Sequence, residues 1–218
     1  MENFIKKFQE IKQIYDSIKD KIVSRLLEFK EIWEKGNDLD IFAELVFCLL
    51  TPQSKAKICW EVVEKIKMNS LLFNNDKQEL SKMIHPVRFK NKKAEYIIKA
   101  KEIFYINNIF SIKEIIRSFP DNTSLRTFCV DKIKGIGFKE ASHFLRNIGF
   151  GKNIAILDRH ILKNLLKFDV IDTIPNNLSE KMYLFIENKM KDFSKEIGID
   201  IEYLDFVFWY KETGEVFK

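Results

Sequence analysis

Glycine and proline are scarce, seven and four in 218 residues, which removes the frequent turn signals that a sandwich or barrel of short strands needs. Cysteine is limited to Cys48, Cys59 and Cys129, an odd number with no CxxC pair and no Cys/His cluster. That pattern argues against a disulfide framework, a zinc site and an iron–sulfur cluster, and predicts three small buried hydrophobes in a reducing compartment. No apolar run approaches the roughly 18 residues a membrane span requires. The opening MENFIKKFQEIKQIY lacks an apolar signal core and carries acids, so a cytoplasmic protein, associated with the nucleoid if it handles DNA, is expected. With 46% hydrophobic and 32% charged residues, extended disorder is excluded.

What the chain has in abundance is apolar residues at helical spacing. Phe4, Phe8, Ile11, Tyr15, Ile18 and Ile22 form a stripe with steps of three and four, and similar stripes recur throughout, so the predicted class is all-α. Punctuation by Gly, Pro and capping residues divides the chain into about twelve helices. They are expected at 2–18, 20–35, 39–50, 53–67, 77–84, 91–108, 110–118, 122–132, 138–148, 159–168, 178–195 and 200–212.

Net charge is only +5, but it is segregated: residues 85–101 carry +5, residues 132–167 carry +6, and the remainder is acidic. Lys and Arg gathered on a face release counterions from a nucleic-acid backbone. Lysine outnumbers arginine 31 to 6, so part of this charge is compositional. Residues 88–101, with Lys92 and Lys93 among them, are expected to meet phosphate, as are Lys132 and Lys134.

Four of the seven glycines fall between 135 and 151. The stretch DKIKGIGFKEASHFLRNIGF reads as a helix, a tight Gly135-Ile136-Gly137 hairpin, and a second helix whose free N–H groups and dipole suit a phosphate. Lys139 falls in the first turn of that second helix, where the dipole disfavours a cation. An amine there can attack carbon and form an imine, and His143 follows at i+4 on the same face. Asp158 stands before another helix, a normal N-cap position, and its carboxylate can also stabilise positive charge on a sugar.

Together, GIGFKEASHFLRN and AILDRHIL resemble the helix-hairpin-helix DNA glycosylase superfamily, and most nearly its archaeal-type 8-oxoguanine DNA glycosylase/AP lyase family. The resemblance runs from FAELVFCLLT through FKNKKAEYI to WYKETGEVFK. It implies two helical subdomains flanking a DNA-binding cleft, formed by 1–35 with 168–218 and by 36–167, with the helix-hairpin-helix (about 122–148) at the mouth of the cleft. It also implies that Lys139 is the Schiff-base lysine and that Asp158, nineteen residues later, assists it. By the same resemblance, Trp209 and Phe89 stack on an extruded purine, a task that suits aromatic rings. Gln53, in LLTPQSKA, fills the gap opposite it; the nearer family has Asn followed by an aromatic there, which leaves the opposite-base preference open. Gly135 and Gly137 approach phosphate. The carbonyls of Asp131, Ile133 and Ile136 hold a monovalent cation, Na+ or K+, with no other cofactor. The expected partner is double-stranded DNA carrying oxidised guanine, met by a monomer. At the chain end Lys218 is expected to offer its carboxylate to the N7 hydrogen that distinguishes 8-oxoguanine from guanine.

Two other readings fit part of the pattern. In a non-catalytic helix-hairpin-helix module Lys139 touches phosphate and Asp158 only caps a helix. An endonuclease III-like enzyme for oxidised pyrimidines shares the same motif, although the four-cysteine cluster of that branch is missing.

Overall fold

The structure is a computed structural model that describes residues 2–69, 72 and 75–218, with side chains from Phe8 onward. Eleven helices and one two-stranded pair are present among the described residues, so the all-α class holds. No helix among them is long and apolar enough to cross a membrane.

The chain divides into two compact units, one made of the segment through Phe29 with Gly151–Lys218, the other of Lys30–Phe150. The sequence places the second boundary at 167/168. The observed boundary lies earlier because α9 (Arg159–Lys167) packs on α11 (Ile201–Thr213) and so joins the terminal unit. At the first boundary α1 (Glu2–Lys35) runs through without a break. The expected interruption near residue 19 does not occur, since Ile18-Lys19-Asp20 supplies neither a breaker nor a cap that would end a helix. Of its stripe, Ile11, Ile18 and Ile22 are buried; the side chain of Phe4 lies outside the described residues.

The central unit is organised by α2 (Asp38–Leu50). It is capped by reciprocal bonds between Asn37 and Asp40 (3.0 and 2.7 Å), and every residue from Ile41 to Leu50 is buried. A helix that is apolar on all sides belongs at a centre, and α3 (Ala56–Met68), α5 (Lys90–Ile103), α6 (Ile112–Arg117) and α8 (Phe138–Asn147) pack around it. Glu44, its one buried acid, accepts from Asn147 Nδ2 of α8 at 3.0 Å. The helix expected at 91–108 ends at Ile103. There β1 (Tyr105–Ile106) pairs with β2 (Ile109–Phe110). Asn107 and Asn108, both left-handed, make the tight turn that this hairpin needs.

In the terminal unit, α10 (Glu180–Ile197) holds the segment 155–157. Tyr183 donates its hydroxyl proton to Ala155 O (2.7 Å) and accepts from Leu157 N (3.1 Å), while Glu187 accepts from Ala155 N (2.9 Å). That segment leads directly into Asp158.

All three cysteines are buried. Burial pushes the Cys59 thiol up to about 11 and Cys129 up to about 12, and it raises Cys48 as well. Reactive thiolate is therefore nearly absent below pH 9 in the folded state. Iodoacetamide at pH 8 is expected to label none of the three until denaturant unfolds the chain. Mass spectrometry of the labelled native protein checks this, and prompt alkylation of any cysteine contradicts the burial.

Candidate active site

The glycine hairpin lies where the sequence puts it, between α7 (Asn122–Lys132) and α8. Gly135 has φ +94°, and a Cβ there would lie 2.3 Å from the ring of Tyr96 in α5. Only glycine accepts both the left-handed backbone and that close approach. Gly137 is the N-cap of α8, and its N–H donates to Glu140 Oε2 at 3.3 Å, half of a capping box. Glu140 is a residue the sequence reading passed over, although its place three residues after Gly137 was the signal.

Lys139 lies in the first turn of α8 with its side chain 25% exposed. Its ammonium is 3.6 Å from Glu140 Oε1. His143, one turn on, is buried at 6% exposure with its ring edge-on to Phe47 of α2 at 5.4 Å. Its setting is the core of the central unit. Lys132 and Lys92 are exposed. Lys134 is exposed too, but it shares Glu95 with Lys77 and Lys99 (3.7, 3.2 and 2.9 Å) and lies over the ring of Tyr96. Lys99 and then Lys77 hold the Glu95 carboxyl down to about 2.

Two corrections concern the loops of this unit. Gln53 is not in the first turn of a helix, since α3 starts at Ala56 and Gln53 sits in the preceding turn, exposed, with φ +56°. Lys93 is not a surface lysine. It is 4% exposed, and its ammonium donates to Leu50 O and Pro52 O, both at 2.7 Å, because the end of a buried helix leaves carbonyls that need donors. Phe89, by contrast, is 55% exposed with φ +59°, and the Arg88 guanidinium lies 5.4 Å over its ring.

The terminal unit carries the other predicted groups. Asp158 caps α9: its Oδ1 accepts from His160 N (2.8 Å) and Ile161 N (2.9 Å). Both bonds fall on one oxygen, which leaves Oδ2 for other work. His160, also unremarked in the sequence, stands edge-on to Trp209 at 5.2 Å, with Nδ1 3.8 Å from Glu212. One residue thus touches both Asp158, by its backbone, and Trp209, by its ring. Beyond Gly214, which ends α11 in a left-handed turn, Lys218 is half-buried with its ammonium 5.9 Å over the Phe29 ring.

No cluster of three or more side-chain metal ligands exists among the described residues. Asp131 lies in the last turn of α7, Ile133 is its C-cap, and Ile136 follows in the hairpin with its N–H donating to Ile133 O at 3.1 Å.

A helical fold with a glycine hairpin, a part-covered lysine in the first turn after it and a capping aspartate points to a DNA-processing class of protein, and comparison with known proteins narrows it. Residues 22–199 match the family model described as 8-oxoguanine DNA glycosylase, and the chain belongs to that family. It is 45% identical to an 8-oxoguanine DNA glycosylase/AP lyase of Fusobacterium nucleatum, over 97% of each chain. Among solved structures it is similar to the Methanocaldococcus jannaschii 8-oxoguanine glycosylase/lyase in complex with 15mer DNA containing 8-oxoguanine, with TM-score 0.87, 37% identity, and 97% of this chain and 99% of that one covered. It is equally similar in fold to the 8-oxoguanine DNA glycosylase of Thermotoga maritima, with TM-score 0.87 at 30% identity over 99% of this chain and 100% of that one.

Tyr183→Phe is expected to leave Leu157 N–H and Ala155 O short of a partner, at a cost of about 1–3 kcal/mol. Urea unfolding measures the loss, and hydrogen exchange should quicken at Leu157. An unchanged midpoint would mean that Tyr183 does not hold the segment before Asp158.

Proposed function

We propose that this protein excises 8-oxoguanine from double-stranded DNA and then nicks the strand at the abasic site. The Lys139 amine attacks C1′ of the deoxyribose; the C1′–N9 bond breaks and the base leaves with the electron pair, taking up a proton. Ring opening converts the adduct to an imine. Loss of a C2′ proton expels the 3′ phosphate by β-elimination, and water releases the amine. The observation that carries this reading is the place of Lys139, directly after the glycine hairpin, largely covered yet reachable, with a carboxylate 3.6 Å away. The relatives' names and the DNA-bound neighbour support the substrate.

Asp158 has the complementary task. Oδ1 keeps the carboxylate fixed on the N-terminus of α9, and its negative charge stabilises the positive charge that develops on the sugar as the base departs. Trp209 and Phe89 stack on the purine, and Gln53, whose amide donates and accepts, fills the space it vacates. Lys132, Lys134 and Lys92 hold phosphate with the backbone at Gly135 and Gly137. A monovalent cation at Asp131, Ile133 and Ile136 would add positive charge beside the hairpin.

Lys139→Gln should abolish base release, nicking and borohydride trapping while duplex binding persists. Trapping at the wild-type level removes the nucleophile from Lys139, and no trapping by the wild type leaves only a DNA-binding module. Asp158→Asn keeps an oxygen to cap α9 and loses the charge. Single-turnover excision should slow by about 10² or more, with the melting temperature little changed; excision at the wild-type rate would reduce Asp158 to a cap.

A further inference from the structure

Apart from Asn107 and Asn108 in the β1–β2 turn, two residues of the central unit share an uncommon pair of properties. Gln53 and Phe89 are both exposed and both left-handed, with φ +56° and +59°. Non-glycine residues persist in that region only where their surroundings impose it. The surroundings here are a single junction. Lys93 N donates to Phe89 O at 3.0 Å. Its ammonium reaches the other loop, donating to Leu50 O and Pro52 O at 2.7 Å and to Ser54 Oγ at 3.3 Å. Ser54 Oγ in turn accepts from Arg88 N at 3.2 Å. Gln53 is thus flanked by two residues bound to Lys93, and Phe89 is bound to Lys93 on one side and joined through Arg88 to Ser54 on the other.

We infer that Lys93 is a positioning residue that locks the Gln53 and Phe89 loops at a fixed separation, so that the two side chains engage the DNA duplex as one rigid fork. This rests on the proposed DNA contacts of Gln53 and Phe89. A donor buried at the branch point serves this end better than a surface contact. The Lys93 ammonium makes charge-assisted bonds to Leu50 O, Pro52 O and Ser54 Oγ, so the first loop cannot shift without breaking one of them. The backbone bond to Phe89 O, with the Arg88–Ser54 bond, ties the second loop to the same point. Gap filling and stacking then become a single event, and an error in the spacing of the prongs disfavours both.

The test compares two reactions that differ in their need for a fork. Lys93→Met keeps an unbranched stem and removes the donors. Single-turnover excision of 8-oxoguanine from duplex should fall by about 10-fold to 10²-fold, while β-elimination at an abasic site in a single-stranded oligonucleotide, which has no opposite strand to enter, stays within about twofold of wild type. Ser54→Ala, which removes the bridge to Arg88 with less disturbance of the core, should lower duplex excision in the same selective way and decides the matter if Lys93→Met does not fold. In the wild-type background Gln53→Ala and Phe89→Ala should be non-additive in duplex excision, and in either junction variant additive. Equal loss of both reactions in the junction variants, or an unchanged duplex rate in Ser54→Ala, overturns the inference. If Gln53→Ala and Phe89→Ala each leave duplex excision untouched, the DNA contacts of these loops are wrong and the fork falls with them. If each lowers it and the two effects simply add, the contacts stand and only the role of Lys93 falls.

Discussion

Helix α2 ends inside the protein, and its last turn must still satisfy its carbonyls there. A helix terminus leaves several C=O groups without intrahelical partners, and burial forbids water from supplying the donors. The remedy is visible atom by atom. Phe47 O takes Thr51 N (3.1 Å), Cys48 O takes the Thr51 hydroxyl (3.0 Å), and Leu50 O takes both the Cys59 thiol (3.2 Å) and the Lys93 ammonium (2.7 Å). A cation at the negative end of a helix is also favoured by the dipole. Two further helices, α3 and α5, are therefore drawn to one point, and the loops before them leave from it. The candidate DNA contacts Gln53 and Phe89 sit on those loops, so the polar requirement of a buried helix end sets where they stand.

The hairpin and the aspartate show how structural and chemical duties coincide on the same atoms. Gly135 is needed because Tyr96 fills the space beside it, and the same bare backbone suits a phosphate. Glu140 closes the cap on α8 with one oxygen and faces Lys139 with the other. Asp158 caps α9 through Oδ1 alone. Capping and chemistry, which look like rival explanations when only the residue type is known, are compatible because a carboxylate has two oxygens.

How much of this was legible beforehand depended on whether a signal was local. The hairpin stood out because glycine is rare elsewhere, and α7 was placed with its true limits, Asn122–Lys132, because Asp121 and the hairpin bracket it. Tertiary facts were not legible. Lys93 sits in a run of basic residues and reads as surface; only the meeting of α5 with the end of α2 buries it. The hairpin at Tyr105–Phe110 was taken into two helices, since strands of two residues leave no period to detect. His160 reads as one polar residue among many until Trp209 and Glu212, about fifty positions away, are brought against it. Family resemblance singled out Lys139 and Asp158, but not Tyr183 and Glu187, whose bonds to the segment 155–157 join positions too far apart in sequence to form a pattern.

The continuity of α1 across the two units has a consequence for synthesis. The segment through Phe29 completes its unit only with Gly151–Lys218, which leaves a ribosome after Lys30–Phe150, a continuous stretch that can close on itself first. At typical translation speeds the opening helix waits roughly 10–40 s for its partners. Throughout that wait Ile11, Ile18, Ile22 and Phe29, all of which end up buried, form an uncovered greasy edge on a nascent chain. The charged residues that alternate with them, from Lys12 to Lys30, are then its only protection against sticking to a neighbour, and a holdase that binds amphipathic helices has its natural target in the first thirty residues.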